Sequence, residues 1–338
     1  MEQVFIEQPE VFNENRYEQM HYHRCGNSGL QLSAISLGAH ETYGSYRDEA
    51  AARSCLYRAF DLGITHFDLA NNYGRPPGAA EQLIGKILKA MPRDELLVSS
   101  KAGYRMWEGP YGEGLTKKSL VASLDQSLRR LQLDYVDIFY AHRPDPHTPL
   151  EETLVALDQL VRQGKVLYIG VSNFSGAQLE QAIQVAQHMH LTRILIHQQR
   201  YNIFERRCEQ DLFEHTRSNG VGVIAFSPLS KGLLSDKYLG EELPAESRAT
   251  HVWGKKSLEN VASTEKREKV RRLNTIARQR GQTLPQMAIA WSLHHPAVNS
   301  VLIGASRIEQ IEENVAALEQ LDFSSDEIQA INHITDHD

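Results

Sequence analysis

Four side chains capable of acid–base chemistry lie at the ends of short apolar segments with the composition of β-strands. Residues 66–74 have the sequence His-Phe-Asp-Leu-Ala-Asn-Asn-Tyr-Gly, in which Asp68 ends the apolar run and Tyr73 follows five residues later. Lys101 and His142 end the next two runs of this kind. If these strands are neighbours in a parallel barrel, their carboxyl ends meet at one mouth, which is where such barrels carry their active sites.

The four residue types suit the reduction of a carbonyl group. The developing alkoxide needs a proton donor, and a tyrosine with a pKa of about 10 is a poor donor at neutral pH. We expect Lys101 to lower the pKa of the Tyr73 phenol and Asp68 to keep that lysine charged and oriented. His142 would then orient and polarise the carbonyl. Each residue alone fits a structural role, but their shared placement at successive strand ends favours catalysis.

The bulk composition is that of a globular protein without nucleic-acid or membrane partners. The chain has 338 residues and a formal net charge of −7, which argues against general binding to nucleic acid or anionic membranes. No apolar run approaches the length of a membrane span. Its cysteines, Cys25, Cys55 and Cys208, are too far apart to indicate a disulfide framework. Residues 1–20 carry several acids and no apolar core, so we expect no signal peptide and a cytoplasmic location.

Strand-like and helix-like segments alternate along most of the chain, which predicts a (β/α)8 TIM barrel. Segments 21–24 and 30–33 predict a hairpin that caps the amino-terminal end of the barrel. A polar stretch, 229–263, predicts a long insertion between strands 7 and 8. We therefore expect an N-terminal arm over residues 1–20 and a single domain over residues 21–338. A doubly wound sheet is the competing architecture. The chain has no Gly-x-Gly-x-x-Gly sequence after its first predicted strand, which counts against that fold. The eight predicted strands are 34–38, 65–70, 96–102, 135–142, 166–173, 194–199, 221–228 and 300–306.

The sequence resembles the aldo-keto reductase superfamily from about residue 22 to residue 331. Segment 66–74 is similar to its Asp/Tyr motif, and Lys101 and His142 match its other two catalytic positions. Within the superfamily the chain most resembles the bacterial L-glyceraldehyde 3-phosphate reductases, a subgroup similar to the β subunits of voltage-gated potassium channels. The segments that carry this narrower resemblance are 69–74, 101–104 with 106–107, 109–112, 122–128 and 303–307.

The resemblance implies that NADPH binds in extended form across the barrel mouth. Ser172 and Asn173 end the fifth strand and Gln198 ends the sixth, where their side chains could hold the nicotinamide carboxamide. Taken alone, Ser172 and Asn173 fit a helix N-cap equally well. Phe226, by the resemblance, would stack on the nicotinamide ring and leave its other face open for hydride transfer.

Two further groups of residues are expected to hold the phosphates and the adenosine of NADPH. The pyrophosphate group follows strand 7 and includes two cations of the long insertion: Ser227, Pro228, Leu229, Lys231, Lys237 and Arg248. The adenosine group follows strand 8, where a helix N-terminus suits an anion: Gly304, Ser306, Arg307, Gln310, Glu313 and Asn314. By the resemblance, Ser306 and Arg307 bind the 2′-phosphate that distinguishes NADPH from NADH, and Glu313 and Asn314 bind adenine.

The expected substrate end departs from the relatives at two positions. His40 stands where they usually have an aromatic residue, most often tryptophan, and Arg105 replaces an acid. With Trp107, these residues would face the substrate. Added positive potential would suit an anionic aldehyde such as a triose phosphate, although the changes could equally mark another substrate.

The resulting hypothesis is an NADPH-dependent reductase of small aldehydes, such as L-glyceraldehyde 3-phosphate or methylglyoxal, with Tyr73 as proton donor. By the resemblance we expect a homo-oligomer, either a tetramer or an octamer. The main alternative is a nicotinamide-binding regulatory subunit resembling the channel β subunits, which keep the same four catalytic residues. A metal-dependent barrel enzyme using Asp68 and His142 would lack further ligands.

Overall fold

A computed structural model describes residues 12–239 and 263–335, and these form a closed barrel of eight parallel strands. The prediction of a (β/α)8 barrel is confirmed. Two short antiparallel strands, β1 (Tyr22–Arg24) and β2 (Gln31–Ser33), precede it. The barrel strands are β3 (Ile35–Gly38), β4 (His66–Asp68), β5 (Leu97–Ala102), β6 (Val136–Ala141), β7 (Val166–Ser172), β8 (Ile194–Arg200), β9 (Gly222–Phe226) and β10 (Val298–Ile303).

Helices follow the barrel strands and cover their outer faces. Thr116 and Ser175 stand directly before helix-like segments, which predicts that they are N-caps, and both predictions are confirmed. Thr116 accepts a hydrogen bond from the backbone of Ser119, and Ser175 forms a capping box with Gln178. The helices are α1 (Glu49–Asp61), α2 (Ala79–Leu88), α3 (Lys117–Leu131), α4 (Leu150–Arg162), α5 (Gly176–His188), α6 (Leu212–Ser218), α7 (Thr264–Gln279), α8 (Leu284–His294), α9 (Ile308–Val315) and α10 (Ser325–Thr335).

The helical period of the sequence predicts one continuous helix over 207–219, and this prediction is wrong in its first turn. Residues Arg207–Glu209 form a separate 3-10 turn, and α6 begins only after it. The carboxylate of Glu209 accepts hydrogen bonds from Tyr201 and Arg206, which ties this turn to the preceding loop. Side-chain contacts therefore override the helical period of the sequence at this point.

Parallel pairing brings the carboxyl ends of adjacent strands to the same level. Gly38 pairs with Asp68, Asp68 pairs with Ser99, and Lys101 pairs with Tyr140 across the neighbouring strand. Because side chains alternate between the two faces of a strand, residues two apart point to the same side. His66 and Asp68 therefore share one face of β4, and Ser99 and Lys101 share one face of β5.

The N-terminal hairpin closes the amino-terminal end of the barrel, as predicted. Cys25 and Leu32 are fully buried and pack in one cluster with the barrel residues Ile138 and Ile224. At the turn, the backbone of Gly26 has a φ of +52° and approaches the backbone of Gly220 so closely that a side chain would clash. The hairpin therefore seals the bottom of the barrel with apolar side chains.

The described part of the N-terminal segment packs against the barrel domain. The ring of Phe12 contacts the rings of Tyr57 and Phe60 on α1 at centroid distances of 5.3 and 4.9 Å. Arg16 pairs with Glu95 and lies over the ring of Phe60. Residues 12–20 are thus attached to α1 by aromatic and ionic contacts.

Part of the predicted insertion between the seventh and eighth barrel strands, including Arg248, lies outside the described residues. The part that is described, 229–239, contains two 3-10 turns, Ser230–Gly232 and Asp236–Tyr238.

Cys25, Cys55 and Cys208 are buried free thiols. Among the described helices, none combines the length and the hydrophobicity needed to cross a membrane.

The contact between α2 and α3 leads to a stability prediction. A Cβ atom added at Gly85 would lie 2.5 Å from the backbone oxygen of Leu131, so Gly85→Ala must push the two helices apart. We expect a loss of about 1–3 kcal/mol in the free energy of unfolding. Gly29→Ala is the control, because no atom lies within 4 Å of its added Cβ. Thermal and urea unfolding of both variants measure the effect, and equal stabilities would contradict it.

Candidate active site

Asp68 and Lys101 form a buried ion pair at the carboxyl ends of β4 and β5. The Lys101 ammonium donates to Asp68 Oδ2 at 2.5 Å and to the backbone oxygen of Leu69 at 2.7 Å, and its side chain is 0% exposed. Asp68 Oδ1 accepts from Ser99 Oγ at 2.6 Å and from Gln198 Nε2 at 3.0 Å. Burial lowers the pKa of Lys101, and the charge of Asp68 opposes that change. An ammonium has three donors, so one remains for a further partner.

Tyr73 lies beside this pair on the loop after β4. Its backbone oxygen accepts from the amides of Gly78 and Ala80 at 3.1 and 3.2 Å, which fixes the loop that carries the phenol. The Lys101 nitrogen lies 5.0 Å from the centroid of the Tyr73 ring. The structure therefore brings the predicted acid, amine and phenol together at the barrel mouth.

The pKa of Tyr73 is shifted in the direction opposite to the one expected from the sequence. It is raised well above its usual value, mainly because the surrounding protein desolvates the phenolate, and also because the Asp68 carboxylate and Tyr104 are nearby. Lys101 does not reverse this effect, since its charge is largely compensated by Asp68. The phenol is consequently protonated in the resting site, which is the state that a proton donor requires.

His142 completes the predicted set of four. It follows β6 directly, is 7% exposed, and its ring centroid lies 5.8 Å from that of Tyr73. Burial lowers the pKa of His142 well below its usual value, and the charges of Lys101, His40 and Arg143 lower it further. The imidazole is therefore neutral at physiological pH, and its buried Nδ1 has no partner among the described residues.

Tyr104 and Arg143 belong to this site, although the sequence analysis did not identify them. The ring of Tyr104 contacts His142 edge-on at 4.6 Å, and the Arg143 guanidinium lies 4.5 Å from the Tyr104 ring centroid. Arg143 also pairs with Glu113 and donates to the backbone oxygen of Gly103 at 3.3 Å. Arg143 directly follows His142 in the sequence, and this was the feature from which its place in the site could have been predicted, since both residues lie at the end of the same strand.

The residues predicted for the substrate end differ in their placement. His40 is exposed and its ring lies 4.9 Å from that of Tyr73, so it borders the mouth. Arg105 is exposed and pairs with Glu108. Within the described residues, no hydrogen bond, ion pair or ring contact joins Arg105 or the half-buried Trp107 to the four central residues. Their assignment to the substrate pocket stays a prediction.

The residues predicted to hold the nicotinamide lie around the same mouth. Asn173 Nδ2 donates to the backbone oxygen of His142 and to Ser172 Oγ, both at 3.0 Å. Gln198 uses its amide nitrogen on Asp68, which leaves its carbonyl end for other partners. Phe226 is half-buried at the end of β9, and the Arg200 guanidinium lies 5.6 Å from its ring centroid.

The loop after β9, which is predicted to receive the pyrophosphate, has an unusual backbone conformation. Ser227, Ser230 and Lys231 all have positive φ angles, 59°, 46° and 59°, although none of them is glycine. Residues with left-handed φ angles turn successive amides toward one side, and such concave runs bind phosphate groups. Lys231 and Lys237 are exposed, Leu229 is half-buried, and Pro228 is buried. The amides of Ser230 and Gly232 donate within the loop, to the backbone oxygens of Ser227 and Leu229, so the two lysines are the groups whose charge suits the pyrophosphate of a dinucleotide.

The residues predicted for the adenosine end surround the start of α9. Gln310 Oε1 accepts from both the amide and the hydroxyl of Ser306, at 2.9 and 3.2 Å. Arg307 is exposed at the N-cap of α9, and Gly304 lies three residues earlier, in the loop after β10. Arg47, on the loop after β3, donates to the backbone oxygen of Ser306 and adds a cation there. Glu313 is half-buried and Asn314 is buried on α9.

No group of three or more His, Cys, Asp or Glu side chains suited to a metal ion exists within 12–239 and 263–335. The four central residues instead provide one ion pair, one protonated phenol and one neutral imidazole. That combination can hold and deliver a proton to an oxygen atom at the mouth.

Comparisons with known proteins agree with this geometry. The model of the aldo/keto reductase family matches residues 34–336. The chain is 49% identical over 331 residues to a protein of Escherichia coli (strain K12) named "L-glyceraldehyde 3-phosphate reductase", with 96% of this chain and 95% of that protein covered. It is 36% identical over 321 residues to a protein of Oryza sativa subsp. japonica named "Probable voltage-gated potassium channel subunit beta", covering 91% and 94%. A protein of the same name from Arabidopsis thaliana is 36% identical over 312 residues, covering 89% and 92%.

The buried histidines of the barrel lead to a prediction about pH. Burial lowers the pKa of His66 and of His197 to about 4 each. Unfolded histidine has a pKa of about 6.5, so below that pH the unfolded chain binds more protons and the free energy of unfolding falls until about pH 4. Each histidine accounts for about 2 kcal/mol between pH 7 and pH 5.

His197→Gln tests this, because glutamine can still donate to the backbone oxygen of Phe174 that His197 Nε2 contacts at 3.1 Å. We expect its urea midpoint to fall less between pH 7 and pH 5 than that of the wild type. His188→Gln, at an exposed site, is the control and keeps the wild-type pH dependence. An unchanged dependence in His197→Gln would contradict the assignment.

Proposed function

Because the chain belongs to the aldo/keto reductase family, we propose that it reduces small aldehydes with NADPH, with Tyr73 as the proton donor. The observation that supports this most strongly is the fully buried Lys101 ammonium, held by Asp68 and placed 5.0 Å from the Tyr73 ring centroid. In the proposed reaction a hydride adds to the carbonyl carbon while the carbonyl oxygen takes a proton. The product is the corresponding alcohol.

Each central residue has a distinct part in the proposed proton transfer. Tyr73 is protonated at rest and gives its hydroxyl proton to the carbonyl oxygen as negative charge develops there. Lys101 stabilises the phenolate that this transfer leaves, through the donor that Asp68 and Leu69 do not use. His142 is neutral, and we place its single proton on Nε2, since buried Nδ1 meets no acceptor among the described residues. That N–H then orients the carbonyl oxygen toward Tyr73.

The residues around the mouth fit an extended dinucleotide. NADPH, when bound, supplies the hydride. Ser172 and Asn173 would hold the carboxamide, Phe226 would support the nicotinamide ring, and the left-handed loop from Ser227 would receive the pyrophosphate. At the far end, Ser306 and Arg307 would bind the 2′-phosphate, with Gln310, Glu313 and Asn314 near the adenine.

The substrate we propose is a small anionic aldehyde such as L-glyceraldehyde 3-phosphate. The relative from Escherichia coli (strain K12) carries that substrate in its name. The mouth supports the same class, because the Arg143 guanidinium packs on Tyr104 beside His142, and the His40 ring borders Tyr73 on the other side. Methylglyoxal, an uncharged aldehyde, tests whether this charge matters.

One assay separates this function from the regulatory alternative, which the two relatives named as channel β subunits keep open. Oxidation of NADPH is followed spectroscopically across a panel of small aldehydes and repeated with NADH. A reductase turns over many times, whereas a nicotinamide-binding subunit binds NADPH and consumes little. A cytoplasmic location, expected from the composition of residues 1–20, and assembly into a homo-oligomer, expected from the resemblance, belong to the same proposal.

Tyr73→Phe removes only the hydroxyl that is assigned as the proton donor. We expect kcat to fall by about 10²–10⁴-fold, the range for loss of a general acid, while the dissociation constant for NADPH stays close to that of the wild type. Tyr111→Phe is the matched control, because Tyr111 is 48% exposed and its ring centroid lies 5.5 Å from the Lys118 ammonium on α3. Steady-state assays and quenching of protein fluorescence by NADPH measure the two quantities. Wild-type turnover in Tyr73→Phe would refute the role.

Arg307→Ala tests the proposed recognition of the 2′-phosphate. A charged hydrogen bond contributes about 1.5–3 kcal/mol, so we expect the dissociation constant for NADPH to rise by at least about tenfold. The constant for NADH should change little, since NADH has no 2′-phosphate. Arg162→Ala is the control, because that arginine lies on α4 and pairs with Asp158. Equal losses for the two cofactors would contradict the assignment.

A further inference from the structure

A chain of hydrogen bonds crosses four neighbouring strands of the barrel beneath Asp68. Ser300 Oγ lies 2.7 Å from Ser36 Oγ, and Ser36 Oγ lies 3.0 Å from His66 Nδ1. On the other side of the imidazole, His66 Nε2 lies 2.9 Å from Ser99 Oγ, which lies 2.6 Å from Asp68 Oδ1. Apart from Asp68, at 2%, every member is 0% exposed. We call Ser300, Ser36, His66 and Ser99 the serine–histidine chain.

The direction of these hydrogen bonds follows from counting donors, starting at Asp68. Its carboxylate also accepts from Lys101 and Gln198, so it is ionised and can only accept. The Ser99 hydroxyl must therefore donate its one proton to Asp68, so the Ser99 oxygen accepts the hydrogen bond from His66. The proton of the imidazole consequently lies on Nε2.

The remaining half of the serine–histidine chain is then determined as well. Burial lowers the pKa of His66 to about 4, so the ring is neutral and Nδ1 carries no proton. Nδ1 accepts from the Ser36 hydroxyl, and Ser36 in turn accepts from Ser300. All the donors thus point the same way, from β10 through β3 and β4 to the carboxylate.

We propose that His66 is a positioning residue for the reaction, because its Nε2–H holds the Ser99 hydroxyl in the orientation that donates to Asp68. This inference rests on the proposed function, in which Asp68 orients Lys101 under Tyr73. Ser99 and Gln198 fix Oδ1, so that Oδ2 faces the ammonium. If Ser99 lost its partner, its hydroxyl could rotate and the carboxylate would lose one of the contacts that set its orientation.

The groups that face Asp68 from the packed elements show why this orientation needs support. Lys101 lies on β5, Tyr73 on the loop after β4, and Tyr140 on β6, with the Lys101 nitrogen 5.0 and 5.6 Å from the centroids of the Tyr73 and Tyr140 rings. Glu81 on α2 contributes a second negative charge near Lys101. A carboxylate that turned within this group would no longer hold the ammonium in one fixed position beside Tyr73.

The protonation state of His66 can be measured without any turnover. In wild-type protein labelled with ¹⁵N-histidine, long-range ¹H–¹⁵N correlation distinguishes a protonated from a bare ring nitrogen, and loss of the signal in His66→Gln assigns it. We expect His66 to carry its proton on Nε2 at neutral pH. A proton on Nδ1, or on both nitrogens, overturns the proposal. This result does not depend on which substrate the protein uses, so it fails separately from the proposed function.

Variants then test whether the serine–histidine chain positions Asp68 or only fills the barrel. Ser99→Ala removes the hydroxyl that donates to Asp68. In His66→Gln, the side-chain amide still places a donor where Nε2 was. The shorter amide of His66→Asn replaces only Nδ1, the ring nitrogen near Ser36. For Ser99→Ala and His66→Asn we expect kcat to fall by about tenfold, the effect of one hydrogen bond to a charged group, with KM and NADPH affinity near wild type. His66→Gln should retain most of kcat.

Ser292→Ala is the matched control, since Ser292 is buried in α8 and bonds only to the backbone oxygen of Ala288. It should keep the wild-type kcat. Melting temperatures of all variants show whether a loss comes from unfolding. Equal kcat losses in His66→Gln and His66→Asn, or an unchanged kcat in Ser99→Ala, would overturn the positioning role. If the wild type turns over no aldehyde, the proposed function fails, while the tautomer still decides the direction of the hydrogen bonds.

Discussion

The carboxylate of Asp68 and the ammonium of Lys101 lie 2.5 Å apart inside the barrel with almost no access to solvent. Removing two such charges from water costs several kcal/mol per ion, and their attraction offsets that cost only when further hydrogen bonds satisfy the remaining oxygens and protons. The surrounding residues supply those bonds: Ser99 and Gln198 donate to Asp68, and Leu69 accepts from Lys101. Several buried polar groups near the barrel mouth therefore serve to stabilise this one ion pair. A core with a purely structural role would not need such a pair.

The same environment determines the protonation states of the other central residues. Desolvation favours neutral forms, so Tyr73 keeps its proton while the pKa of His142 is lowered. The one ion pair that remains charged is thus surrounded by groups that are not. A phenol that is protonated at rest and has an ammonium beside it can give up its proton only when something at the mouth needs it. The site is arranged to respond to negative charge that develops on a substrate oxygen.

Much of this architecture was predictable from the sequence, because local rules decide it. Short runs such as 136–141, rich in β-branched and aromatic residues and flanked by helix-like segments, indicate buried strands. Thr116 and Ser175 begin helices because their hydroxyls cap free amides. The family motif also placed the four central residues at strand ends. What escaped prediction depends on contacts between distant segments. Examples are the packing of Arg143 on Tyr104, the use of the Gln198 amide by Asp68, and the raised pKa of Tyr73, which depends on the balance between burial and a compensated charge.

The hairpin at the amino-terminal end of the barrel also affects how molecules move. Cys25 and Leu32 fill the base of the barrel with apolar side chains, and Gly26 brings the turn against the backbone of Gly220. Since the described residues close the base of the barrel in this way, a small molecule approaches the ion pair from the mouth, and whatever binds deepest must arrive first and depart last. A dinucleotide lying across that opening would control the entry and release of every smaller molecule.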